Sequence, residues 1–251
     1  MITKIIFLCI AGFLASFVDS IAGGGGLISI PAFMLAGLPP HMVLGTNKFS
    51  ATAGSFTSSL KFIKSGKANF KLLKYLIPFT FIGAILGVKA VLNIDQKFLT
   101  GLVLVLIMFI GVYTFFSKSL GLEDKFYGLT KKSVIYGIIL ALSLGFYDGF
   151  FGPGTGSFLI FGLISIFGFN FVSSSANARI LNFISNVTAL VLFALNGKID
   201  YTLGIPVALF MIIGAKMGTS VALNKGSKLI KPIFVTMSLA VAVKMFVGFL
   251  K

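Results

Sequence analysis

Phe17-Val18-Asp19-Ser20-Ile21-Ala22-Gly23-Gly24-Gly25-Gly26 and, 129 residues later, Phe146-Tyr147-Asp148-Gly149-Phe150-Phe151-Gly152-Pro153-Gly154-Thr155 are two versions of one segment. In each, an acid set in apolar sequence leads into a glycine tip. The echo continues beyond the tips. Ile82-Gly83-Ala84, Gly87, Leu92, Asn93 and Lys97 return 131 residues on as Ile213-Gly214-Ala215, Gly218, Leu223, Asn224 and Lys228, and Lys48 meets its counterpart in Arg179 at the same displacement. One half of the chain is a diverged copy of the other.

Composition places this duplication in a membrane. Of 251 residues, 57% are apolar and only 11% charged, and the mean hydropathy is +1.05, whereas soluble domains carry about 25% charged residues. The net charge of +15 reads as the lysine bias of cytoplasmic membrane loops. It does not read as a nucleic-acid surface, because no basic stretch is interleaved with aromatics. The single Cys9 rules out an internal disulfide, and His41, assigned to a short outer loop without cysteine or acidic company, makes no credible metal site. No cofactor, metal or enzymatic activity is expected. The first 22 residues have the outline of a signal peptide, but the same element recurs inside the chain from about residue 133, which argues for a structural segment.

Apolar runs long enough to span, about 20 residues, occupy residues 3–22, 45–63, 72–92 and 98–117, then 133–151, 175–196, 201–223 and 230–250. Two shorter runs, Leu27 to Leu38 and Gly156 to Phe169, follow the tips. Lysines fix the topology. The loop after the second long run carries Lys61, Lys64, Lys67, Lys71 and Lys74, while its counterpart carries only Lys198 beside Asp200. The next pair reverses the imbalance, with Lys97 near Asp95 against Lys225, Lys228 and Lys231. Equivalent loops therefore face opposite sides, which predicts inverted repeats.

The expected fold is an all-α polytopic membrane protein of two inverted-topology repeats, each a glycine-tipped helical hairpin plus three transmembrane helices. The first repeat covers residues 1–117 (hairpin 1–40), a cytoplasmic linker 118–132, and the second repeat 133–251 (hairpin 133–170). Both termini then lie outside, with 12 basic residues in cytoplasmic loops and 4 in outer segments.

A glycine tip within a bilayer leaves backbone groups unpaired, at several kcal/mol each, and survives only around a cavity or ligand. Each return arm also aims a helix N-terminus at the tip, with its free N–H groups and partial positive charge. Two such ends, Gly23, Gly24, Gly25 and Gly26 facing Gly152, Gly154 and Thr155, suit an anion. The cations agree. Arg179 is the only arginine in the chain; Asn182 and Asn186 follow at i+3 and i+7 on its helical face, and Asn177 precedes it. Lys48 is preceded by Asn47 and followed by Thr52, Ser55 and Ser59. Lys48 and Arg179 are site candidates, against the alternative that they lie near helix starts and snorkel to the interface. Asp19 and Asp148, two of six acids, pair with these cations, hold the tips, or carry a coupling proton.

Phe17 to Pro31 (FVDSIAGGGGLISIP), Gly45 to Lys48 (GTNK), Gly145 to Gly156 (GFYDGFFGPGTG) and Asn177 to Asn186 (NARILNFISN) resemble the TauE/SafE, or sulfite exporter, family of membrane transporters over essentially the whole chain. The resemblance implies movement of small sulfur-containing anions such as sulfite, sulfonates or sulfoacetate across a prokaryotic plasma membrane. Carried onto matching positions, it implies a lining of Asp19, Gly23 to Gly26, Asn47 and Lys48 with Asp148, Gly152, Gly154, Thr155, Asn177 and Arg179. The expected partners are the small anion and the lipid bilayer, and a homodimer is left open. Two rival readings are a cation permease or channel using Asp19 and Asp148, and an intramembrane aspartyl protease. The protease lacks any Gly-X-Gly-Asp motif in this sequence.

Overall fold

The computed structural model describes residues 2–99, 101–103, 105, 125, 126 and 128–225. The expected span at 230–250, most of that at 98–117 and much of the linker lie outside these residues. Among the described residues eight helices have defined bounds: α1 Ile2–Ala22, α2 Gly26–Leu35, α3 Pro40–Lys64, α4 Phe70–Leu92, α5 Lys131–Phe150, α6 Thr155–Phe167, α7 Phe171–Leu195 and α8 Tyr201–Lys225. No strand occurs among the described residues.

Both glycine segments reverse the chain, because only glycine adopts positive φ freely. Gly23 (φ 82°) and Gly24 (φ 99°) end α1, and Gly152 (φ 103°) and Gly154 (φ 82°) end α5. From there α2 returns along α1, so that Lys4 Nζ donates to the Ala36 carbonyl at 3.3 Å. The second return arm, α6, comes back to the level of Gly137, against which the Phe167 ring packs. These are the two helical hairpins expected from the sequence.

Contacts between the halves are exchanged rather than sequential. Along α4 and α5, Thr80 meets Gly145, Ala84 meets Gly149, and Gly87 meets Phe146 and Phe150. Along α1 and α8, Phe13 meets Gly214 and Phe17 meets Gly218. Each pair climbs in step and is therefore parallel. Small residues let the backbones approach closely, as in other membrane helix pairs. By the same test α3 runs with α8, since Ser50 bonds the Gly204 carbonyl and Thr219 bonds Ser58. It runs against α7, since Ser59 bonds the Arg179 carbonyl while Gly45 packs on Phe193.

Five of the described helices are long and apolar enough to cross a membrane: α1, α4, α5, α7 and, through Asn224, α8. Outward faces are apolar at helical spacing, with Ile6, Ile10 and Leu14 on α1, Ile135 and Ile139 on α5, and Leu209, Ile213 and Met217 on α8 all exposed. Such a surface belongs against lipid, and the chain is a membrane protein. The expected span at 45–63 forms within α3, a 25-residue helix whose serines and threonines leave it less apolar than the other five. Those polar groups turn inward, with Ser50, Ser55, Ser58 and Ser59 buried.

Two expected boundaries shift. The third helix starts at Pro40, with proline at the first helical position where its missing N–H costs nothing. The seventh starts at Phe171, capped by the Asn170 side chain accepting from Ser173 N–H at 2.8 Å. Both precede the expected starts at 45 and 175. His41 accordingly lies in the first turn of α3, not in an outer loop, and is buried with Nε2 3.0 Å from the Val91 carbonyl oxygen. Among the described residues no cluster of three metal-ligating side chains occurs.

Candidate functional site

The earlier helix starts place Lys48 and Arg179 each as the ninth residue of its helix, about 12 Å from the end at 1.5 Å per residue. Neither side chain reaches the surface. Lys48 is 3% exposed and Arg179 0%, so the snorkelling alternative fails and each cation must be compensated inside the protein.

Compensation comes from the opposite half each time. Lys48 Nζ lies 2.9 Å from Asp148 Oδ2, and Arg179 Nη1 pairs with Asp19 Oδ2. The pairs thus bolt the first hairpin to α7 and the second to α3. Asp148, 2% exposed, also accepts from Ser185 Oγ and, at 3.5 Å, from Asn182 Nδ2. Lys48 donates in addition to Asn186 Oδ1 at 2.9 Å, and Asn186 Nδ2 reaches Asn182 Oδ1 at 3.2 Å. The polar stripes of α3 and α7 therefore form one connected network.

Asp19 is held differently. Its Oδ1 accepts the Gly25 N–H at 3.0 Å, so the carboxylate fastens the tip of its own hairpin as well as binding Arg179. The two tips touch. Gly23 packs on Gly156 and Ser157, Gly26 on Pro153, and Ser157 Oγ donates to the Ala22 carbonyl at 3.0 Å. Against this junction lies the Arg179 guanidinium. A side chain at residue 156 would overlap its Nη2, and Nε and Nη2 are buried without a hydrogen-bond partner among the described residues.

Between the tips and the stripes is a cavity of about 40 Å³, room for about three waters at about 10–15 Å³ each. Of the candidates named from sequence, Asp19, Gly25, Gly26, Asn47, Lys48, Asp148, Gly152, Gly154, Asn182 and Asn186 line it. Gly23 lies in the tip junction instead, and Gly24 gives its carbonyl to the Leu27 N–H at 2.9 Å. Thr155 Oγ1 donates to the Gly152 carbonyl at 2.8 Å. Asn177 turns to α4, accepting from Asn69 N–H at 2.9 Å and donating to the Ser173 carbonyl at 2.8 Å. Arg179 sits behind the tip glycines.

Sequence reading missed Ser16, Ser29 and Gly156 in the lining, and Ser185 beside it. Two of these carried a signal. Ser16 is three residues before Asp19 on the same helical face, and Ser185 continues the polar stripe of α7. Ser29 shows its role only in three dimensions, where it bonds Asn47 Oδ1 at 2.6 Å.

A cavity lined by charged side chains and set among helices whose outer faces are apolar is the anatomy of a membrane transporter. The chain belongs to the sulfite exporter TauE/SafE family, whose sequence model matches residues 8–245. It is 40% identical over 240 residues to a Haemophilus influenzae protein named "Probable membrane transporter protein", covering 96% of this chain and 93% of that one. It is 38% identical over 235 residues to an Escherichia coli protein of the same description, covering 92% and 86%. A Sinorhizobium relative, again so described, is 36% identical over 239 residues, covering 95% and 91%. No solved structure matches the chain.

Proposed function

We propose that this transporter moves small anions, sulfur-containing oxyanions of the sulfite, sulfonate or sulfoacetate type, by alternating access at one site shared between two inverted repeats. The observation that carries the reading is Arg179. Of its five N–H donors, those on Nε and Nη2 are buried beside two glycine tips and unpartnered among the described residues, and buried donors without partners are rare enough to require a reason. An oxyanion drawn between the tips would satisfy them together with the N–H groups at the starts of α2 and α6. Both N-cap residues, Gly25 and Gly154, are glycines without a capping side chain of their own, and the Gly25 N–H is held by Asp19 Oδ1. The family description, sulfite exporter, supplies the sulfur chemistry.

Inversion is supported by helix direction, since the repeat partners α3 and α7 are antiparallel, as are the groups containing α1 with α5 and α4 with α8. The prolines inside α4 (Pro78) and α8 (Pro206) give each half a place to bend. The lysine distribution supports insertion in the plasma membrane with both termini outside. Cation transport fits poorly, because both carboxylates are already engaged by buried cations.

A counterflow screen with the purified chain in proteoliposomes tests this reading. Preloaded sulfite or methanesulfonate is expected to drive uptake of the labelled anion, with loss of at least about 97% of the flux in Arg179→Ala, since a charged hydrogen bond lost at a binding site costs about 2–5 kcal/mol. Cation flux that survives Arg179→Ala and Lys48→Ala but disappears in Asp19→Asn would overturn it.

A further inference from the structure

The four charges at the site sum to zero, with Lys48 matched to Asp148 and Arg179 to Asp19. This balance creates a difficulty for an anion carrier. Bringing a monoanion into a neutral, buried site leaves one uncompensated negative charge, which a low-dielectric interior opposes strongly.

We propose that Asp148 is the proton-binding site that couples anion movement to proton movement, and that Asp19 is a fixed latch of the hairpin tip. The proposal rests on the anion-transport reading above. The two carboxylates differ in what protonation would disturb. Asp19 faces an arginine, which does not release its proton, and its other oxygen holds the Gly25 backbone N–H, so neutralising it would loosen the tip. Asp148 is surrounded by side chains that can rearrange. The Ser185 hydroxyl, now donating to Asp148, can turn to accept the carboxylic O–H. Lys48 keeps Asn186 Oδ1 at 2.9 Å and already lines the cavity.

Among the described residues no other charged group intervenes. On the elements packed against α5, Lys48 of α3 is the cation facing Asp148, α7 presents neutral Asn182 and Ser185, and α6 has no titratable residue. The titratable side chains of α4 are exposed. On α5 itself, the Tyr147 hydroxyl is committed to the Pro153 carbonyl at 2.6 Å. The charge count then closes: one proton neutralises Asp148, the freed Lys48 charge pairs with one monoanion, and empty and loaded sites are equally neutral. Anion binding should therefore strengthen as pH falls, and a monoanion should cross with one proton, without net charge.

Methanesulfonate is the probe, because it stays a monoanion at every pH used and any pH dependence belongs to the protein. In proteoliposomes of the full chain, an acidic exterior should drive its accumulation above equilibrium. An enclosed pH dye should report one proton per anion, and affinity should rise about tenfold per pH unit while Asp148 is ionised, as linkage to one proton requires. Asp148→Asn should exchange the probe at an altered rate, without pH dependence or accumulation. Ser185→Ala should displace the pH profile, and Asp19→Asn should keep its slope whatever its rate.

A second measurement needs no transport. Infrared titration of the purified protein should show a protonated-carboxyl band that disappears in Asp148→Asn and persists in Asp19→Asn. If no sulfonate moves but the band behaves so, the substrate reading fails and the proton site stands. A band unchanged in Asp148→Asn, or gradient-driven accumulation by that variant, would overturn the proposal.

Discussion

Lys48→Ala is expected to destabilise the folded chain by about 3–5 kcal/mol, the usual cost of removing one partner from a buried ion pair. The cost arises at Asp148, which stays 2% exposed but loses the cation 2.9 Å away, so that it must either hold an unpaired charge or take up a proton. Ser185 and Asn182 remain as donors and cannot supply a counter-charge. A second change should reverse much of the damage. In Lys48→Ala/Asp148→Ala no isolated charge is left, so the double variant should be more stable than Lys48→Ala alone, with a coupling energy at the upper end of the roughly 0.5–3 kcal/mol found for residues in contact. Thermal unfolding in detergent of the two single variants, the double variant and the parent chain completes the cycle. Additive effects would mean that the two side chains do not act as a pair.

Gly23→Ala should be the most damaging glycine-to-alanine change among the described residues. Its φ of +82° already strains any L-residue, by about 1–2 kcal/mol. The added Cβ would also overlap the backbone of Gly156 and Ser157 on the opposite tip, which cannot move aside as a flexible side chain can. Gly37, also at positive φ but with nothing within 4 Å of a Cβ, is the control. Gly37→Ala carries the conformational strain alone, and the excess loss of melting temperature in Gly23→Ala measures the tip-to-tip contact. Equal effects at the two positions would show that the tips do not pack as described.

The apolar helices and the glycine turns were legible in the sequence, because each leaves a local mark, an apolar run or a glycine run, whereas whether Lys48 and Arg179 face inward or snorkel was left open there. The pairing of the charges was not legible either. Periodicity tells which residues share a face, and nothing in it says what lies opposite, so Asp19 could be matched to Arg179 only once α1 was seen beside the far half. Asn177 was named for its place just ahead of Arg179 in the sequence and for the family resemblance, not for its helical face. Two residues before Arg179, it lies about 200° around the helix at about 100° per residue, and it accordingly faces α4, whereas Asn182 and Asn186 lie close to the arginine's own direction. Helix starts were displaced for a similar reason. Apolar runs mark where lipid is met, while caps such as Asn170 lie in polar sequence beyond them.

A single anion site built from both repeats is most directly tested by equilibrium binding of labelled methanesulfonate to the purified chain. A shared site predicts one anion per chain, with binding lost in Lys48→Ala, from the first repeat, and equally in Arg179→Ala, from the second. Two anions per chain, or one that remains bound when either cation is removed singly, would contradict it.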